Sequence, residues 1–173
     1  MLKTKRLLLC AALISSGLTS TYAQSKFEVP QNAELKVKED YVKYEPVMVD
    51  AAKWLEETDL DKEKDKRKQV NAFVLQWITG SPTVTVDLSE RLAKLYGKNS
   101  ELLAVYIASY AREFIENKTT ATKFTAIRAG LVSMMNVYKK GIDISRSKEL
   151  ENLIRLTGEN KLDDYINGNF KWE

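Results

Sequence analysis

The stretch Leu102-Leu103-Ala104-Val105-Tyr106-Ile107-Ala108-Ser109-Tyr110-Ala111-Arg112-Glu113-Phe114-Ile115 decides the fold class of this chain. It is too long for an ordinary strand, contains no proline or glycine, and is apolar around nearly its whole circumference. A helix without a polar face is stable only when other elements surround it, so it belongs in the middle of a domain. Asn99 or Ser100 stands where a cap would start it.

Outward from that centre, the same spacing recurs on both sides. Pro46 suits a first helical position, and Met48, Ala51, Ala52 and Leu55 follow at helical intervals, with Trp54 widening the face, so a helix is expected over 46–57. The charge run Asp61 to Lys68 leads into Val70, Phe73, Val74, Trp77 and Ile78, which is the i, i+3, i+4, i+7, i+8 pattern of an amphipathic helix. Gly80, Ser81 and Pro82 stop it. Thr83 to Val86 has strand-like residues but no partner strand nearby, and is read as a short extended link. Asp87 and Glu90 resemble a capping box ahead of Leu88, Leu92 and Leu95, with Gly97 as the stop.

Downstream, a helix is expected from about Thr120 to Lys140 through Phe124, Ile127, Leu131, Met134, Met135 and Tyr138, ending at Gly141. Ala126 with Gly130, and Ala129 with Ser133, place small residues four apart and permit close approach to a neighbouring helix. Two shorter helices are expected, about Ser147 to Thr157 and Lys161 to Asn167. No period near about 34 residues repeats along the chain. The expectation is therefore an all-α single domain of about six antiparallel helices, a hairpin stack or compact bundle, over 46–173. Residues 24–45 precede it as an arm or irregular helix.

Residues 1–23 read differently. Lys3, Lys5 and Arg6 precede an apolar core from Leu7 to Ile14, and Thr21 and Ala23 are small residues before a cut. These are the parts of a cleaved export signal, and the core is far short of the roughly 20 residues a spanning helix needs. Cleavage between Ala23 and Gln24 is expected, with the product periplasmic or extracellular and carrying no transmembrane segment. Cys10 lies inside the apolar core, which is the wrong place for a lipidated cysteine, and leaves with the signal.

The cut changes the chemistry. The chain has 27 basic and 24 acidic residues, and the excess of three is Lys3, Lys5 and Arg6. The remainder is formally neutral, which argues against nucleic acid as a partner. It has neither histidine nor cysteine, so the commonest general base, the thiol nucleophile and the preferred transition-metal ligands are all missing. No catalytic residue, no metal ligand and no cofactor is expected. Asp59, Asp61, Glu63 and Asp65 alternate like the opening of a calcium loop, but Lys64 stands at the glycine position and Val70 at that of the closing glutamate, so a solvated first turn is expected instead.

Other candidates have ordinary readings. Asn117-Lys118-Thr119 matches a glycosylation acceptor and is read as the end of one helix and the cap of the next. Arg112, Glu113 and Arg128 are the charges inside the two most apolar helices; they are expected to pair with other charges, the alternative being the lining of a ligand pocket. Trp54 and Trp77 lie on core faces. Phe170 and Trp172 are expected to dock on their own domain.

The sequences Trp54-Leu55-Glu56, Arg67, Asn71-Ala72-Phe73 and Trp77-Ile78-Thr79-Gly80-Ser81-Pro82-Thr83-Val84 resemble a group of small secreted helical proteins of Bacteroidota, and a signal ending at Ala23 before Gln24 is similar to those of that lineage. The resemblance implies a helical fold and export, and implies no mechanism. The functional expectation is an exported, non-enzymatic domain that binds a protein or peptide partner. Its alternative is a small envelope enzyme or ligand-binding protein built on Arg112, Glu113 and Arg128.

Overall fold

A computed structural model of the chain describes residues 27–171, and these contain eight helices and no strand. They are α1 (Lys38–Lys43), α2 (Glu45–Glu57), α3 (Lys64–Gly80), α4 (Glu90–Tyr96), α5 (Glu101–Glu116), α6 (Lys123–Lys139), α7 (Lys148–Gly158) and α8 (Leu162–Asn169). The signal, its cleavage site at Ala23 and Gln24, Cys10 and Trp172 lie outside the described residues.

The all-round apolar helix is the centre, as its composition requires. α5 packs most extensively on α6, then on α2, and also on α3. Leu102, Val105, Tyr106, Ile107, Ala108, Tyr110 and Ala111 are all buried. α2 contributes Met48, Ala52, Trp54 and Leu55, and α3 contributes Val70, Phe73, Val74 and Trp77 to one continuous core. Full burial of each such large side chain stabilises the fold by roughly 1.5–3 kcal/mol. Contacts fix the directions: Glu45 meets Lys118 while Glu56 meets Arg112, so α2 runs antiparallel to α5.

The small residues of α6 do what their spacing allows. A Cβ on Gly130 would lie 2.7 Å from the Tyr106 ring and 2.9 Å from the Tyr106 carbonyl oxygen. Ala126 and Ser133, one turn on either side, are buried in the same contact region. The α5–α6 crossing therefore brings the backbone of one helix against the aromatic ring of the other.

Several helix ends are chemically specified. Thr122 and Thr125 form a reciprocal cap at the start of α6, each hydroxyl accepting from the other's main-chain N–H at 3.1 and 3.0 Å. Ser147 caps α7 by accepting from the Leu150 N–H, and its hydroxyl donates to the Leu95 carbonyl at the end of α4. Gly97 ends α4 with φ +52, a conformation L residues rarely adopt.

One local expectation is corrected, and three others are resolved in detail. The cap of α4 is Ser89, whose hydroxyl accepts from the Leu92 N–H at 3.3 Å; Asp87 and Leu88 belong to the preceding link, and Leu88 is 58% exposed. Of the two residues placed to start α5, Ser100 holds the cap position; Asn99 is buried, and its amide exchanges two hydrogen bonds with the main chain of Ser145, at 2.9 and 2.7 Å. The charge run enters its helix only at Lys64, because Glu63 adopts a left-handed conformation with φ 44. Of the stretch expected to be an arm or irregular helix, the described residues 27–44 combine both, an irregular arm up to Val37 followed by the short α1.

The Gly130 contact is testable by substitution. Gly130→Ala gains about 1 kcal/mol of helix propensity but forces overpacking worth roughly 1–3 kcal/mol, against a carbonyl oxygen that cannot rotate aside. The expected result is a loss on the order of 1 kcal/mol, lowering the melting temperature by roughly 2–4 °C. Gly158→Ala, where nothing lies within 4 Å of the new Cβ, should be neutral or slightly stabilising. A rise in melting temperature for Gly130→Ala would show that the helices are not in this contact.

Candidate functional site

The charges singled out in the sequence do not converge. Arg112, a quarter exposed on α5, lies 3.7 Å from a Glu56 carboxylate oxygen and 3.8 Å from one of Glu116. Glu113 accepts from the Asn117 side-chain amide at 3.0 Å, at the end of α5. Arg128 pairs with Asp163 of α8 at 2.9 Å, both side chains being half exposed. Arg128 thus turns to solvent, although Phe124, on its own side of the helical wheel, is partly buried. Asn117 ends α5 as expected, while the next cap falls later, at Thr122.

The residue that gathers partners is Glu56, which the sequence reading passed over. One carboxylate oxygen accepts from the Ser133 hydroxyl at 2.7 Å and the other from the Asn136 amide at 3.0 Å, both on α6. Lys140 donates to the main-chain carbonyls of Glu56 and Glu57, each at 2.8 Å, and approaches Asp59 at 3.3 Å. A cation at the last carbonyls of α2 is favoured by the helix dipole. The hydroxyl–carboxylate pair has the distance of a nucleophile and its base, but Ser133 is 2% exposed. Its hydroxyl ties α2 to α6. The only sequence signal was two polar residues three apart on a largely apolar helix.

Arg67, unlike the half-sheltered Glu56, is a buried charge. It is 3% exposed, lies over the Trp54 ring at 5.2 Å, and donates through one terminal nitrogen to the Thr58 and Asp59 carbonyls at 2.7 and 3.3 Å. Burial pulls its proton affinity below the ordinary value, and the negative charges of Glu101, Asp59 and Glu63 pull it back. Around it, the calcium-like run is a set of lysine pairs: Asp61 with Lys62, Glu63 with Lys66, Asp65 with Lys68 and Asp59 with Lys140. Among the described residues no three carboxylates are grouped to hold a metal ion.

Trp54 and Trp77 are in the core, and the Trp77 indole N–H donates to the Tyr41 carbonyl at 3.1 Å. Phe170 docks on its own domain, 8% exposed and edge-on to Tyr165. It closes a small pocket with Asp87, Tyr106, Tyr110, Lys123 and Ile127.

Two open clefts are formed by described residues. The first lies between the arm and α3, holds about 420 Å³, and is lined by Val29, Pro30, Gln31, Asn32, Ala33, Gln69, Ala72, Phe73 and Gln76. Its α3 wall is the i, i+3, i+4, i+7 row of Gln69, Ala72, Phe73 and Gln76, in which Phe73 is buried and the other three are exposed. The arm is anchored by Phe27, buried 6.4 Å from the Trp54 ring, and turns at Gln31–Asn32, where Asn32 takes a left-handed conformation. The Gln76 amide donates to the Ala33 carbonyl across the cleft at a long 3.4 Å. The second cleft, about 300 Å³, is walled by Val42, Val84, Phe114 and Ile115, with the Glu45–Lys118 ion pair at its side. Both volumes fall in the range of small ligand clefts, roughly 300–1,000 Å³.

No family model, curated protein or solved structure matches this chain. What the structure defines is an all-α domain with a polar, uncharged cleft beside its N-terminal arm. No helix among the described residues is long and apolar enough to cross a membrane.

The pocket under Phe170 has a measurable property. Burial, with Asp87 nearby, pushes the Tyr110 phenol up to about 12, and burial pushes Tyr106 higher still. Below the ordinary value of 10 both are protonated in the folded and unfolded chains, so stability is indifferent to them there. Above 10 the unfolded chain releases protons that the folded chain retains, so stability falls as pH rises towards the folded values. Phenolate absorbance should show two of the eight tyrosines ionising last, together with alkaline unfolding. Uniform titration near 10 with the fold intact would exclude this packing.

Proposed function

We propose that the chain is an exported, non-enzymatic helical module that binds a protein partner by laying a segment of peptide chain in the cleft between the arm and α3. Export by a signal cleaved between Ala23 and Gln24, and delivery to the periplasm or the cell exterior, are part of the same proposal. The resemblance to small secreted helical proteins of Bacteroidota agrees with it.

The observation that carries the reading is the Gln76 contact. A glutamine on an exposed helix face already donates to a main-chain carbonyl of a non-helical segment, Ala33. Gln69 presents the same group two turns earlier on the same face. Side-chain amides both donate and accept, so they match the alternating donors and acceptors of a peptide main chain, which recognition of non-helical segments commonly engages.

The test is a photoreactive amino acid placed at exposed Gln69 in the exporting cells, with exposed Lys148 on α7 as the control position. The mature protein should begin at Gln24 by intact mass. Illumination should give a discrete protein adduct from position 69 and none from 148, and Ala72→Arg, which fills the cleft, should abolish it. Equal adducts from both positions, or an adduct indifferent to Ala72→Arg, would defeat the binding reading; a lipidated or full-length product would defeat the export reading.

A further inference from the structure

Resting on the peptide-binding reading just given, we infer that the segment the arm–α3 cleft accepts is uncharged where it lies between Gln69 and Gln76. In a chain of which 29% is charged, the nine residues lining this cleft include none. Four of them, Gln31, Asn32, Gln69 and Gln76, are carboxamides, two on each wall. Of the charges close in sequence, Glu34 pairs with Lys36 on the arm and Asp65 with Lys68 on α3, while exposed Glu28, next to Val29, is not among the lining residues.

The physics discriminates by sign in neither direction. A carboxylate or ammonium entering the cleft gives up hydration and meets no counter-charge, a loss that neutral amides repay only in part. A main chain meets donors and acceptors at both ends of a row whose middle is Ala72 and the Phe73 ring. That middle suits a small or apolar side chain. The second cleft differs in kind, since its walls are apolar and it carries the Glu45–Lys118 pair.

The experiment is selection of short random peptides displayed on phage against the exported chain, followed by solution affinities of the enriched peptides. The enriched sequences should share a run free of Asp, Glu, Lys and Arg, and placing Asp or Lys at its centre should weaken binding about tenfold or more. Gln76→Glu, which leaves the exposed helix face otherwise unchanged, should weaken the uncharged peptide and partly rescue the Lys-substituted one. Peptides that bind in the cleft but tolerate either charge would overturn this inference and leave peptide binding standing. Failure of any peptide to bind, or shifts of the Gln69 and Gln76 amide signals with soluble oligosaccharides alone, would overturn both.

Discussion

The close crossing of α5 and α6 at Tyr106 and Gly130 is the constraint on which the rest of this molecule depends. Because a Cβ at 130 would stand 2.7 Å from the Tyr106 ring, glycine there lets the two helices share their long contact without displacing either. That contact frees the remaining circumference of α5 for α2 and α3, whose apolar rows then complete the core. It also fixes where Tyr106 and Tyr110 end, under Phe170 on one side of the bundle and within bonding distance of the link on another, since the Tyr110 hydroxyl donates to the Thr85 carbonyl at 3.0 Å. The extended reading of 83–86 is explained by that anchorage: Val84 is buried and the link is held to α5, with no strand pairing.

Once the apolar faces are in contact, a few polar groups set the order of the pieces. The exposed pairs, such as Lys62 with Asp61 or Lys94 with Glu90, are of the kind that contributes little. Three others cross between elements and are sheltered: Glu56 with Ser133, Asn99 with Ser145, and Arg67 with the loop at Thr58 and Asp59. A sheltered polar group that loses its partner carries the whole cost of its lost hydration, on the order of 1–3 kcal/mol. Such groups therefore penalise wrong arrangements more than they reward the right one, and Asn99, which locks the start of α5 to the approach to α7, is the clearest case.

What was legible in the sequence is whatever repeats at helical spacing. The rows of α2, α3, α5 and α6 could be read because each residue's partner lies three or four positions away, and Ala126 and Gly130 announced a close approach without saying to what. The failures are residues whose role is set by a distant part of the chain. Asn99 has the chemistry of a cap, yet its partner is Ser145. Arg128 pairs with a carboxylate as expected, but which one, Asp163 of α8, could not be read. Ser89 was overlooked because Asp87 and Glu90 matched a familiar pattern two residues early. The cleft was invisible for the same reason: one wall is a helical row of ordinary glutamines, and the other is the stretch before α1, whose path is decided by Phe27 reaching Trp54.

That division bears on how the cleft can work. Its α3 wall is tied into the core by fully packed Phe73 and Trp77, whereas its arm wall has one buried anchor, Phe27 on Trp54, with Val29, Ala33 and Leu35 only partly buried against the core, the Gln76 bond, and Tyr41, whose hydroxyl donates to Leu35 and whose ring covers Gly80. α1 itself buries no residue. Segments held by few buried contacts open at lower free energy than the core. On the reading proposed above, a partner segment would compete with Ala33 for Gln76, replacing one main-chain carbonyl by another without disturbing the α5–α6 crossing. On that reading the core-bound half of the cleft would supply the chemistry of recognition and the arm half the room.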